Sequence, residues 1–112
     1  MKKISAVVRP EKLEPLKDAL FAARVNGMTI SQVHGCGNQH GWKEYFRGAE
    51  VILNMQPKVK FEIVVHEELL DSIIEIIRST AYTGEAGDGK IFVFPVDDVI
   101  RIRTNEKGRD AV

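Results

Sequence analysis

Apolar side chains along this chain recur first with a period of two, then with helical spacing, and the pair of patterns occurs twice. Ile4, Ala6 and Val8 alternate with Ser5, Val7 and Arg9, which predicts a strand closed by Pro10. From Pro10 a helix is expected, with Leu13, Leu16, Leu20 and Ala23 on one face. Pro15 falls in its first turn or so, where the missing N–H costs least. A second strand follows from about Thr29 to Gly35. After Pro57, Val59 to Val65 reads as a third strand, and Glu67 to Ala81 as a second amphipathic helix with Leu70, Ile73, Ile77 and Ala81 inward. Gly84 suits a left-handed cap behind that helix. Ile91 to Val96 is a fourth strand and Val99 to Arg103 a short fifth.

A constant shift along the chain lays Ile4, Ala6, Val7 and Val8 on Phe61, Ile63, Val64 and Val65. The same shift lays Leu13, Leu16 and Leu20 on Leu70, Ile73 and Ile77. Two similar strand–helix–strand halves predict an α+β fold, a ferredoxin-like βαββαβ sandwich whose helices cover one sheet face. The other face would carry Val7 and Val64, flanked by Ser5 and Glu62, so part of it needs covering, and self-association would do this. Residues 37–57 follow neither period. About twenty residues without a pattern are uncommon inside a compact domain and usually functional. Trp42, Tyr45 and Phe46 fall here, with Arg47 and Gly48 at the centre. On these residues alone, a loop packed down by its aromatics, or an ordinary hairpin, is as good a reading as a partner-binding loop.

At 112 residues and 44% hydrophobic content, the chain is one domain, 1–112, with one packed core. Lys plus Arg (16) equals Asp plus Glu (16), which argues against nucleic acid or an anionic membrane as the main partner. No run approaches the roughly 18 apolar residues of a membrane span, and Met1–Ser5 contains no apolar stretch of secretory-signal length. The single cysteine, Cys36, forms no internal disulfide and fits a reducing cytoplasm. His34, His40 and His66 show no ligand spacing with a second cysteine, and His66 reads as an exposed or capping residue at a strand's end.

The densest chemistry lies near the fourth strand. Gly84, Gly87 and Gly89 precede Lys90 and then Ile91–Phe92–Val93. Glycines let a backbone turn successive N–H groups toward an anion, and Lys90 adds a full charge at the loop's exit. No Ser or Thr follows the lysine and the loop enters a strand, so this is not a Walker-type phosphate loop. A Gly-Asp-Gly segment alone is more often just a turn. The whole stretch Thr83–Gly84–Glu85–Ala86–Gly87–Asp88–Gly89–Lys90–Ile91–Phe92–Val93 resembles the signature of the PII signal-transduction proteins, a nitrogen-regulatory family that binds ATP or ADP. Gly35–Cys36–Gly37–Asn38–Gln39, Arg47–Gly48–Ala49–Glu50, Lys58, Lys60–Phe61–Glu62–Ile63–Val64 and Ile100–Arg101–Ile102–Arg103–Thr104 fall where that family places them. The resemblance runs from Met1 to Val112 without a gap.

The resemblance implies a homotrimer, with a T-loop at about 37–57, a B-loop at about 82–90 and a C-terminal loop at about 101–112. Arg101 and Arg103, two apart on the expected fifth strand, would leave the same face. That is usually a solvated edge, but with Lys90 they become a polyphosphate clamp, because arginine forks pair with phosphate oxygens. In the family these three positions and Gly87–Asp88–Gly89 hold nucleotide phosphates in clefts between subunits, with Gly37 and Asn38 close by. Asn38 departs from the arginine many members carry. Thr29 and Val64 match residues that contact adenine, and Glu62 lies on the same strand as Val64. The family's second ligand is 2-oxoglutarate, bound through magnesium beside ATP; Gln39 matches the residue that orients the magnesium-bound acid, and Lys58, with Gly87, the group around its distal carboxylate. Magnesium prefers the oxygens that phosphates, a 2-oxo acid and an amide supply.

The function implied is a cytoplasmic, non-enzymatic sensor. ATP, ADP and 2-oxoglutarate would set the T-loop, with Arg47 at its tip and Trp42 and Phe46 beside it, to control ammonium transporters or nitrogen-metabolism proteins. Membrane association would come only through a transporter. The family's uridylylated tyrosine corresponds to Val51 and its phosphorylated serine to Ala49, so neither modification is expected. Phe46 replaces a tyrosine common in the family, and Tyr45 lies outside the modified register. The alternative is a small nucleotide phosphohydrolase using the same cleft; against it, no carboxylate or histidine is evidently placed to activate water, although Asp88 and Glu62 are near.

Overall fold

The computed structural model describes residues 1–36, 42–46, 49–53 and 55–112, the two middle stretches by their backbone. The elements are β1 (Lys2–Val8), α1 (Leu13–Ala22), β2 (Thr29–Gly35), β3 (Trp42–Phe46), β4 (Ala49–Leu53), β5 (Gln56–Val65), α2 (Leu70–Ala81) and β6 (Lys90–Pro95). Single 3-10 turns, Pro10–Lys12 and Glu67–Leu69, lead into the two helices, and a third closes the chain at Gly108–Ala111.

Four strands form one antiparallel sheet in the order β2-β5-β1-β6. This is the ferredoxin-like arrangement of two strand–helix–strand halves. The register puts Ile4 opposite Ile63 and Val93, and Ala6 opposite Phe61 and Ile91. These face the helices. Leu16 and Leu20 of α1 and Ile73, Ile77 and Ala81 of α2 close over them, and Ile4, Ala6, Leu16, Leu20 and Phe61 are at most 1% exposed. The echoed positions therefore pack as one core, with Leu13, Ala23 and Leu70 at its rim.

The opposite sheet face is open in this chain. Lys3, Ser5 and Val7 of β1 share it with Lys60, Glu62 and Val64 of β5 and Phe92 and Phe94 of β6. Val7 and Val64 are half-buried, whereas Phe92 and Phe94 are about half exposed. Thr29 opposite Glu62 and Val33 opposite Lys58 extend the face onto β2.

Several local expectations are revised. Residues 37–57 contain a hairpin, β3 paired with β4, and β5 starts at Gln56 rather than Val59. Pro57 is tolerated there because β1 pairs with β5 only from Val59 onward, leaving β2 as the one neighbour. The segment expected as a fifth strand forms a single bridge, Ile100 to Lys107, around a turn. In that turn the Asn105 N–H donates to the Arg101 carbonyl at 2.8 Å and Asn105 takes a φ of 59°. Helix α2 ends without a left-handed cap, because Tyr82 is extended; Gly84, with φ 89°, belongs to the loop beyond. Helix α1 has the left-handed ending, formed by Arg24 (φ 65°), with the Arg24 N–H donating to Phe21 and the Val25 N–H to Leu20.

Candidate functional site

The 82–90 loop is held from three sides. The carboxylate of Asp88 turns back into its own loop, accepting from the Thr83 N–H (2.8 Å), the Thr83 hydroxyl and the Gly84 N–H (3.0 Å). Arg9, at the end of β1, donates through Nε to Asp88 (3.0 Å) and through Nη2 to the Ala86 carbonyl (2.7 Å). Lys58 of β5 donates to the Gly87 carbonyl at 2.5 Å. The Thr83 hydroxyl first, then the loop N–H and Arg9, hold the Asp88 carboxyl well below its ordinary pKa. Gly89 presses on β1: a Cβ there would lie 1.7 Å from the Val7 carbonyl oxygen.

A second region lies toward the other end of the same sheet. A groove of about 740 Å³ is lined by Arg24, Gly27, Thr29, Glu62, Val64 and Arg101, among others. Glu62 sits between Lys60 (3.1 Å) and Lys3 (3.3 Å), which lower its carboxyl pKa, Lys60 contributing most. Arg101 lies 3.4 Å from Glu106, and its N–H donates to the Glu106 carbonyl at 2.9 Å. The C-terminal turn is tied down by an ion pair between Arg109 and Glu68. Arg109 holds the Glu68 carboxyl down at about 2.

The residues expected at a nucleotide site thus fall into two groups. Thr29, Glu62, Val64 and Arg101 come together at the groove. Gly87, Asp88, Gly89 and Lys90 come together with Lys58 at the other end, where Lys90 pairs with Val7. Four to six residues of β5 separate the groups, about 13–20 Å at ~3.3 Å per residue. Arg103 does not share a strand face with Arg101, because residues 102–104 form a turn, and it is exposed. Gly37, Asn38, Gln39 and Arg47 lie outside the described residues, as do the side chains of Trp42 and Phe46. Arg9 had no signal in the sequence, since its partners are more than seventy positions away.

Neither carboxylate considered as a water-activating base is available for that task. Asp88 is occupied by its loop and Arg9, and Glu62 by two lysines. His66 does not cap through its side chain; its Nδ1 is buried without a partner among the described residues. Among those residues no three His, Cys, Asp or Glu side chains cluster as metal ligands, and no helix is long and apolar enough to cross a membrane.

A family profile described as Nitrogen regulatory protein P-II matches residues 1–106. The chain belongs to the P-II family. It is 48% identical over 112 residues to a nitrogen regulatory protein P-II of Azospirillum brasilense, covering all of both chains. It is 51% identical over 112 residues to nitrogen regulatory protein P-II 2 of Methanothermobacter thermautotrophicus, covering all of this chain and 97% of that one. The P-II protein of Pasteurella multocida is 50% identical over the full length of both. These relatives are named as regulators, and this P-II chain is a regulatory protein of nitrogen metabolism rather than an enzyme.

Proposed function

We propose that this P-II chain senses adenine nucleotides and 2-oxoglutarate in composite sites between neighbouring copies of a cytoplasmic homotrimer. The observation that supports this reading is the separation of the groups expected to bind phosphate. The glycine loop with Lys58 and Lys90 stands at one end of the open face, and Arg101 at the other, beside Thr29, Glu62 and Val64. A loop from one copy set against the groove of the next would bring cationic groups to both sides of a polyphosphate. Packing the open faces together would also cover Phe92 and Phe94.

The adenine end of the ligand would rest on Thr29 and Val64 with Glu62 near, and the phosphates on Gly87 to Lys90, Arg101, Arg103, Gly37 and Asn38. Magnesium would be held chiefly by ligand oxygens, with Gln39 adding an amide. When bound, that ion neutralises phosphate and 2-oxo-acid charge. Lys58, released from the Gly87 carbonyl, would meet the distal carboxylate of 2-oxoglutarate. Ligand state would then bias the segment 37–57, where Trp42, Phe46 and Arg47 would engage an ammonium transporter or a nitrogen-metabolism protein.

Calorimetry tests the reading. Arg103→Ala should weaken ATP binding by about 1.5–3 kcal/mol, the worth of a hydrogen bond to a charged group. 2-Oxoglutarate should bind only with magnesium and ATP present, and Lys58→Ala should abolish that coupling. Equal binding of 2-oxoglutarate without nucleotide would reject the shared site.

A further inference from the structure

We propose that Arg9 is a positioning residue for anion binding by the 82–90 loop, which it holds so that consecutive N–H groups face outward. The inference rests on the nucleotide reading of that loop. Arg9 takes the Ala86 carbonyl at 2.7 Å, and Lys58 takes the next carbonyl, Gly87, at 2.5 Å. In a planar trans peptide, the carbonyl of one residue and the N–H of the next point in opposite directions. No peptide bond among the described residues is cis. Fixing the Ala86 carbonyl on Arg9 therefore aims the Gly87 N–H away from Arg9. Fixing the Gly87 carbonyl on Lys58 likewise aims the Asp88 N–H away from Lys58.

Neither of these N–H groups donates to another described residue. They are pre-aimed donors of the kind a phosphate oxygen accepts from without reorganisation. Arg9 acts on both arms of the loop, because its Nε also fixes Asp88, and Asp88 gathers Thr83 and Gly84 on the near arm. A guanidinium spans these two acceptors with its rigid fork; an ammonium would favour one of them. Arg9 touches no ligand in this scheme.

Two variants test the proposal, Arg9→Ala and Arg9→Lys. ATP and ADP are titrated by calorimetry, adenosine by NMR, and loop amides are followed by hydrogen exchange in ligand-free protein. Arg9→Ala is expected to weaken ATP and ADP about tenfold or more, the effect of losing a charge-assisted contact. Adenosine binding should stay within about twofold, because the base end of the site contains no part of the loop. Arg9→Lys, which keeps the pair with Asp88, should recover part of the loss. Amides 83–89 should exchange faster in Arg9→Ala while β6 stays protected. Equal losses of ATP and adenosine would mean general damage and overturn the positioning role, as would unchanged loop exchange or unchanged ATP affinity. If the unaltered protein binds no ATP, the nucleotide reading itself fails, and the exchange data still decide whether Arg9 holds the loop.

Discussion

Replacing Gly89 by alanine should destabilise the junction between the 82–90 loop and the sheet. The added Cβ would lie 1.7 Å from the Val7 carbonyl oxygen and 2.8 Å from its carbonyl carbon. Neither atom can swing aside, because Val7 is paired with Lys60 of β5 on one side and Lys90 of β6 on the other. Gly89 also has a φ of 103°, which an L side chain rarely adopts. The backbone conformation costs ~1–3 kcal/mol, and forcing an extra carbon into packed surroundings adds another ~1–3 kcal/mol. The sum, about 2–6 kcal/mol, is a large part of a domain's typical ~5–15 kcal/mol. Gly27 supplies the control, since a Cβ there meets nothing within 4 Å. Gly27→Ala should change stability by about 0.5 kcal/mol or less. Thermal melting at one fixed protein concentration reads both, because association shifts the midpoint with concentration. At roughly 4 °C per kcal/mol for a domain of this size, Gly89→Ala should melt about 8 °C or more below the parent. Midpoints for the two variants within about 2 °C of each other would show instead that the loop leaves β1 at no cost.

Phe61, 1% exposed between the sheet and both helices, should cost about 3–5 kcal/mol when cut to alanine, read by denaturant unfolding. The Glu68–Arg109 pair lowers a carboxylate pKa to about 2 from 4.5, so its contribution is present above 4.5 and fades as pH falls toward 2. Glu68→Gln should therefore differ from the parent at pH 6 and converge with it in acid, with the difference shrinking in high salt; a gap that persists at pH 2 would contradict the pairing. Intact-mass spectrometry of protein from nitrogen-starved and nitrogen-replete cells should show no uridylyl or phosphoryl adduct, since Val51 and Ala49 have no hydroxyl.

The core was legible because burial imposes a period. Ile4, Ala6 and Val8, and Leu16 with Leu20, announce their elements, and the echo at Phe61, Ile63, Ile73 and Ile77 fixes the second half. Where burial does not enforce the pattern, sequence period and structure part. Ile100 and Ile102 alternate as a strand would, yet Ile102 is 99% exposed and the chain reverses at Asn105. The hairpin β3–β4 pairs backbone to backbone through residues whose side-chain order follows no single period. Arg9 escaped notice for another reason: its role depends on a contact with Asp88 that local sequence cannot reveal. The resemblance supplied what periodicity could not, a candidate ligand role for the glycine loop at 82–90.

Strand β5 carries Val59, Phe61, Ile63 and Val65 into the core, while Lys58, Lys60, Glu62 and Val64 face the open side. Deleting or inserting a single codon between Lys58 and Val64 would exchange the two sets downstream, driving lysine and glutamate toward Leu16 and Ile77. Point substitutions can accumulate in this stretch, but its length is locked. Variation in length among descendants of this gene should instead collect between Gly35 and Leu53, outside the four-stranded sheet.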